Sequence, residues 1–203
     1  MNSAIGAVLA GGGSSRMGSD KGLLEIDGVP MVRHVAEAMA AAGVAEVVIA
    51  GARSDEMGAA ARCQVLDDPL DDRGPLAGVA SALEFCDHIP GADVVVVCPC
   101  DVPGVHADDF RLLLAVLVSR SDVDVAYMRH GDRIEPLVSA WRPHTARKVV
   151  EDAIVAGSAS VRSVLEHLDV AEIEAPEPRR LVNINTPADL AELIRHRQRR
   201  ADR

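Results

Sequence analysis

Short apolar runs and helically spaced segments take turns along this chain. "IGAVLA" (5–10) is an unbroken apolar run that ends at Gly11, the pattern of a strand buried on both faces. "AEVVIA" (45–50), "CQVLDD" (63–68) and "ADVVVVCPC" (92–100) repeat that pattern, and the last, the most apolar of all, predicts the central strand. Helices are predicted between them. "VPMVRHVAEAMAAAG" (29–43) carries Pro30 near its start and Gly43 just past its end, the asymmetry expected of a helix. A short helix follows at roughly 54–61, and another within 71–86, entered through a tight Gly74-Pro75 turn. "KGLLEIDG" (21–28) predicts a hairpin-like excursion closed by Asp27-Gly28.

Beyond residue 100 the pattern predicts a helix over 106–119 and a strand over 123–129 with "HGDR" as its turn. A strand over 135–141 and a helix over 144–157 come next. "EIEAPEPRR" (172–180) is polar and Pro-bearing, a surface loop or edge strand. The stretch 181–200 predicts an extended piece and then a helix capped by Thr186, with Pro187 in its first position and a basic end suited to a helix C-terminus. Residues 196–203 are expected to fray. Alternation of this kind, sustained through residue 119, implies right-handed crossovers. The predicted class is α/β: a doubly wound, mostly parallel sheet in three α/β/α layers, forming a single domain over 1–203.

Composition sharpens this picture. Hydrophobic residues make up 48% of the chain but aromatics only 2%, so the core has to be built from Val, Leu, Ile and Ala. The net charge of −10 argues against a protein that grips nucleic-acid backbone, while leaving room for a small, locally positive site. No apolar run has membrane-spanning length, and "MNSAIGAVLA" lacks the basic region of a signal peptide. Four cysteines without a compact secreted framework suggest a reducing, cytoplasmic setting, and a monomer or weak homo-oligomer is expected.

The candidate chemistry gathers at predicted strand ends, where open parallel sheets bind ligands. After the first strand comes "GGGSSRMGSDKG" (11–22). Gly11, Gly12 and Gly13 let backbone N–H groups approach a phosphate or a purine; Ser14, Ser15 and Arg16 extend the donors, and Lys21 adds a mobile positive charge. Two familiar phosphate loops fail on spacing. Ser19 occupies the lysine position of a Walker A loop, and Arg16 the third glycine of a dinucleotide fingerprint. Asp101 follows the central strand and is a candidate Mg²⁺ ligand bridging phosphates. Asp67 or Asp68 could accept hydrogen bonds from a base or ribose, whereas Asp71 and Asp72 read as solvated loop. Gly78, early in its helix, marks a close approach, with a ligand as one candidate. Cys98 and Cys100, two apart, share a strand face and read as buried core rather than a metal pair. The histidines show no metal-binding spacing.

"LAGGGSSRMGSDK" (9–21) resembles the signature of nucleotidyltransferases that activate sugar phosphates and related molecules. "RGPLAG" (73–78), "CPCDVP" (98–103), "EPLVSAW" (135–141) and "NINTPADL" (183–190) narrow the likeness to the molybdenum cofactor guanylyltransferase family, nearly end to end over about 5–195. The resemblance implies a Rossmann-like nucleotidyltransferase fold and Mg²⁺-dependent transfer of GMP from GTP to molybdopterin cofactor, with release of pyrophosphate. It implies that Leu9, Ala10, Gly11, Gly12, Gly13, Ser14, Asp68 and Gly78 hold the nucleotide, with Arg16 and Lys21 on the phosphates and Asp101 on the metal. Asn183 and Asn185 fall on the acceptor side. The first half, to about 105, would then bind nucleotide, and 106–195 the acceptor. Molybdoenzymes or their chaperones would be partners, with "RHRQRRADR" (195–203) a candidate docking segment; no nucleic acid or membrane is implied. In one respect the chain departs from the pattern: its second strand ends "VVIAGAR", with Ala50 where a family member carries an Asn touching the nucleoside. A cytidylyltransferase or sugar-phosphate transferase is the near alternative, and a non-catalytic nucleotide- or partner-binding module the distant one.

Overall fold

The computed structural model describes residues 3–11, 20–51, 55–66, 74–158 and 160–201. The first apolar run forms β1 (Ser3–Leu9). A small antiparallel hairpin, β2 (Glu25–Ile26) with β3 (Val29–Pro30), turns on Asp27 and Gly28, whose φ angles of 54° and 79° are those of a tight type I′ turn. Because Val29–Pro30 is committed to this hairpin, helix α1 starts later than its pattern suggests, at Met31, and runs to Ala42. There follow β4 (Glu46–Ala50), α2 (Asp55–Ala61), β5 (Gln64–Val65), α3 (Pro75–Cys86) and β6 (Ala92–Pro99). Of the strand predicted over 63–68, Gln64–Val65 is observed; Cys63 and Leu66 lie beyond its ends, and 67 and 68 lie outside the described residues.

The second half comprises α4 (Ala107–Ser119), β7 (Val125–His130), β8 (Arg133–Trp141) and α5 (Pro143–Val155). It ends with α6 (Val161–Leu165), β9 (Val170–Glu174) and α7 (Pro187–Ala201). Helix α6 is a single turn and a half that the pattern did not announce. The segment "EIEAPEPRR" resolves into the end of edge strand β9 and a 3₁₀ turn over Pro178–Leu181.

The main sheet has the order β5-β4-β1-β6-β8-β7-β9. It is parallel except for β8, which runs against both β6 and β7. From β1 the chain winds outward through β4 to β5, then returns by α3 to place β6 on the other side of β1. The winding direction thus reverses at β1 and β6, and the crevice beyond their carboxyl ends is where such sheets bind ligands. Alternation along the strands sorts the core. Val8, Val96 and Cys98 face α1, α2 and α4, whereas Ile5, Ala7, Val95 and Val97 face α3, α5 and α6. The expected three layers result.

After β9 the chain returns across the top of the sheet. Arg180 passes so close to Gly104 that a Cβ on the glycine would lie 2.8 Å from the Arg180 carbonyl oxygen. The main-chain N–H of Ile184 then donates to the Asp101 carbonyl, at 2.7 Å. The Ile184 side chain is buried with Ile26 and Met31, and Leu190, Leu193 and Ile194 of α7 pack against them, so α7 is seated on the small hairpin. Thr186 caps α7 as predicted: its Oγ1 accepts from the Asp189 N–H at 3.2 Å.

Gly104→Ala is expected to lower stability by roughly 1–3 kcal/mol, because backbone rather than a movable side chain would have to shift. Val118→Ala, at a side chain 78% exposed, should stay within about 0.5 kcal/mol. Urea unfolding of both variants checks the contrast; equal midpoints would show that the return segment yields freely.

Candidate functional site

The crevice between β1 and β6 is assembled by main-chain pairing. The Leu9 carbonyl accepts from the Cys100 N–H, and the Ala10 N–H donates to the Ala50 carbonyl, both at 2.9 Å. These bonds fix where the glycine-rich loop leaves the sheet. Gly11 has a steric reason of its own, since a Cβ there would stand 2.6 Å from the Gly51 carbonyl oxygen. Gly78 likewise serves packing: a Cβ would meet Leu9 Cδ2 at 3.0 Å and Ala50 Cβ at 3.6 Å. The close approach it marks is thus made by the protein's own strands. Ala50 is fully buried beside it, and its methyl group offers no polar contact.

Lys21 opens a 3₁₀ turn, Lys21–Leu23, that is pressed into the fold at its second residue. A Cβ on Gly22 would lie 2.7 Å from Met57 Sδ and 3.3 Å from Cys100 Sγ. The turn is therefore pinned between α2 and the end of β6. From it the Lys21 ammonium donates to Asn185 Oδ1 at 2.8 Å. Asp101 stands directly across the crevice mouth, past the end of β6. Its carboxylate oxygen Oδ1 and the amide oxygen Oδ1 of Asn183 are both buried and have no hydrogen-bond partner among the described residues. Leu9, Gly11, Lys21, Asp101 and Asn183 line one cavity of about 160 Å³. The return segment alternates like a strand: Asn183 faces this cavity, while Val182 and Ile184 face a separate one of about 570 Å³ beneath α7.

The structure thus brings together Leu9, Ala10, Gly11, Lys21, Asp101, Asn183 and Asn185. Gly12, Gly13, Ser14, Arg16 and Asp68 lie outside the described residues, as do Asp67, Asp71 and Asp72. Reading the sequence missed Asp20, Pro75 and Leu137, which also line the cavity. Asp20 was signalled only by its place next to Lys21, and Leu137 by nothing local. Cys98 and Cys100 are free thiols on the face shared with α1 and α4, as expected. Burial, reinforced by the charge of Asp101, pushes the Cys100 thiol up to about 12, and Cys98 well above its usual range. Both remain protonated and unreactive at neutral pH.

Burial raises the Asp101 pKa, partly offset by the Lys21 charge and by its own backbone N–H. A carboxylate with one free buried oxygen, a neutral amide oxygen and an ammonium therefore meet at the mouth of a small crevice. Two acceptor oxygens without donors suit a cation, and a single carboxylate suffices when a divalent ion completes its shell from phosphates and water. Among the described residues no group of three or more metal-binding side chains occurs.

A sequence profile for the MobA-like NTP transferase domain matches residues 6–173. The chain belongs to the MobA-like NTP transferase domain family. It is 36% identical over 192 residues to the molybdenum cofactor guanylyltransferase of Pseudomonas fluorescens, covering 89% of this chain and 88% of that one. To the molybdenum cofactor guanylyltransferase of Burkholderia vietnamiensis it is 33% identical over 202 residues, covering 95% and 96%. Molybdopterin-guanine dinucleotide biosynthesis protein A from Archaeoglobus fulgidus shares the fold with a TM-score of 0.78 at 23% identity, over 96% of this chain and 99% of that one. Membership of the MobA-like family makes this chain an enzyme of nucleotidyl transfer and agrees with the place of its cleft at the β1–β6 reversal.

The raised Asp101 pKa carries a stability signature. An aspartate whose folded pKa exceeds the unfolded 3.8 favours folding while protonated, and loses that contribution as pH rises through the folded value. Asp101→Asn keeps the neutral form at every pH. Its thermal midpoint should match the wild type near pH 3 and exceed it at pH 8, and a constant gap across pH would show that the carboxylate costs nothing.

Proposed function

We propose that this protein transfers the GMP moiety of GTP to the terminal phosphate of molybdenum-loaded molybdopterin and releases pyrophosphate. The observation that carries the reading is the meeting of Lys21, Asp101 and the Asn183–Asn185 segment at the crevice where the sheet reverses direction. Relatives more than 30% identical over nearly the whole chain bear the guanylyltransferase name, which supports the same activity here.

An oxygen of the acceptor phosphate attacks the α-phosphorus of GTP in line. The bond from that phosphorus to the bridging oxygen breaks, and pyrophosphate departs with the electron pair. The attacking oxygen is already anionic, so the chain needs no strong general base. What it must do is bring two polyanions together. Lys21 neutralises phosphate charge from its pinned turn, and Arg16 is assigned the same task on the triphosphate by the resemblance. The resemblance assigns the N–H groups of the glycine-rich loop to the same phosphates. Asp101 would hold Mg²⁺, with Asn183 Oδ1 as the second oxygen of the cavity; bound there, the ion would offset charge on the phosphates. Leu9, Ala10, Gly11 to Gly13, Ser14 and Asp68 are assigned to the nucleotide, and Gly78 supports them by packing under Leu9. Residues to about 105 then form the nucleotide half, and 106–195 the acceptor half. In the described residues no helix is long and apolar enough to cross a membrane, and the four cysteines are free, which supports a cytoplasmic enzyme. The basic end at 195–203 reads as a solvated helix end, with docking of a molybdoenzyme or its chaperone as the second reading.

The buried Ala50 favours one second reading: with no polar group there to read the nucleoside, CTP could replace GTP. Purified protein with Mg²⁺ and molybdenum-loaded molybdopterin, offered GTP, CTP, ATP and UTP in turn, should release pyrophosphate with GTP and give a product heavier by GMP. Release with CTP alone would move the assignment to cytidylyl transfer. Asp101→Ala should abolish turnover, and Lys21→Ala should lower it about 100-fold. Undiminished turnover by either variant would overturn its assigned role.

A further inference from the structure

Three successive backbone N–H groups of the return segment are all committed. That of Ile184 donates to the Asp101 carbonyl at 2.7 Å. Those of Asn185 and Thr186 both donate to one oxygen, Asp189 Oδ2, at 2.9 and 2.8 Å. Capping α7 accounts for the second of these and for the reciprocal bond from the Asp189 N–H to Thr186 Oγ1. It does not account for the first. The Asn185 N–H lies upstream of the cap, and fixing it fixes the peptide that carries the Asn185 side chain. That side chain holds the Lys21 ammonium at 2.8 Å, across 164 residues of sequence.

A lysine on a flexible stem takes its position from what its ammonium meets. An amide on a freely turning peptide would follow the lysine, whereas an amide on an anchored peptide directs it. We propose that Asp189 is a positioning residue: by anchoring the Asn185 peptide it holds the Asn185 amide on Lys21 and so sets where the lysine charge stands relative to Asp101. The inference rests on the reading of this cleft as a nucleotidyltransferase site. Asp189 is not among the residues that line the crevice, and its carboxylate feels the Lys21 charge through space. Its effect passes through Asn185, and this distinguishes it from a residue that merely starts a helix.

Thr186→Ala supplies the control, because it removes the Oγ1 half of the cap and leaves both bonds to Asp189 Oδ2. Asp189→Ala removes those bonds, and Asp189→Asn keeps an oxygen to accept them. Thermal midpoints, kcat and KM would be measured for each, together with Asn185→Ala and the Asp189→Ala/Asn185→Ala double variant. Both Thr186→Ala and Asp189→Ala should lower the midpoint. Only Asp189→Ala should lower kcat, by about tenfold, the usual effect of losing an outer support. Asp189→Asn should recover most of it, and adding Asp189→Ala to Asn185→Ala should cost no more than Asn185→Ala alone. A second readout needs no turnover: the rate at which acetic anhydride acylates Lys21, followed by peptide mass spectrometry. Asp189→Ala should raise that rate to the Asn185→Ala level, with Thr186→Ala staying at wild type. Equal kcat in the Asp189→Ala and Thr186→Ala variants, full additivity with Asn185→Ala, or unchanged labelling of Lys21 would each overturn the proposal. A wild-type protein inert with every nucleotide would instead overturn the reading of the cleft, and the labelling would still decide whether Asp189 governs Lys21.

Discussion

The parallel register of β1 with β6 governs everything at the cleft. Leu9 lies opposite Pro99, and the next bond, from Cys100 to the Leu9 carbonyl, carries the pairing one step past the strands. That single alignment puts the start of the glycine-rich loop and Asp101 at the same height on the same edge. A slip of one residue would turn Leu9 and Val97 to the opposite face, out of the core they share with α3 and α5, so the hydrophobic pattern on both faces resists it. The chemistry therefore inherits its precision from apolar packing well below it. Gly11 and Gly78 belong to the same constraint: the first lets the loop pass Gly51, and the second lets α3 settle against Leu9 and Ala50.

A second alignment closes the cleft from above. The return segment is attached by backbone at Gly104 and Asp101, and by apolar burial of Ile184 against the hairpin that follows Lys21. Burying one such isoleucine contributes about 1.5–3 kcal/mol. It also decides which oxygen finds the lysine, because alternation along 182–185 sends Val182 and Ile184 one way and Asn183 the other. Polar residues reach the crevice because their apolar neighbours are drawn out of it.

Much of this was legible beforehand, and the unequal success has physical causes. Long apolar runs such as 92–100 announced their strands because burial on both faces leaves few polar positions. Direction is not written in such runs, so the reversal of β8 emerged only with the sheet. Helix α6 is too short to show a helical period, and β9 is a five-residue edge strand whose exposed Glu172 and Glu174 left loop and edge strand both open. Pro30 stands at the start of its helix, as the residue that precedes Met31, and also ends the hairpin through its pairing with Glu25. At the site, Lys21 and Asp101 stood out as isolated charges at strand ends. Asp20 joins them as the neighbour of Lys21, whereas Pro75 and Leu137 come in through distant backbone.

Some buried polar groups of the molecule are satisfied within the protein: Trp141 donates to Ser139 at 2.7 Å, and Asp109 accepts from the His106 N–H at 2.9 Å. At the crevice two oxygens, one of them on a carboxylate, are buried with no hydrogen-bond partner among the described residues. Burying such groups unpaired costs stability, and a sequence selected for stability alone would replace them. The Lys21 charge offsets the burial of Asp101 only in part, and its ammonium donates to Asn185. Direct pairing of Lys21 with Asp101 would cancel the two charges that a polyphosphate and its counter-ion need. Keeping them apart leaves each ready for a partner of opposite sign, at a cost that the β1–β6 register and the seat of α7 are rigid enough to sustain. On the proposed reading, held separation of charge, more than any single residue, would suit this crevice to joining two phosphates.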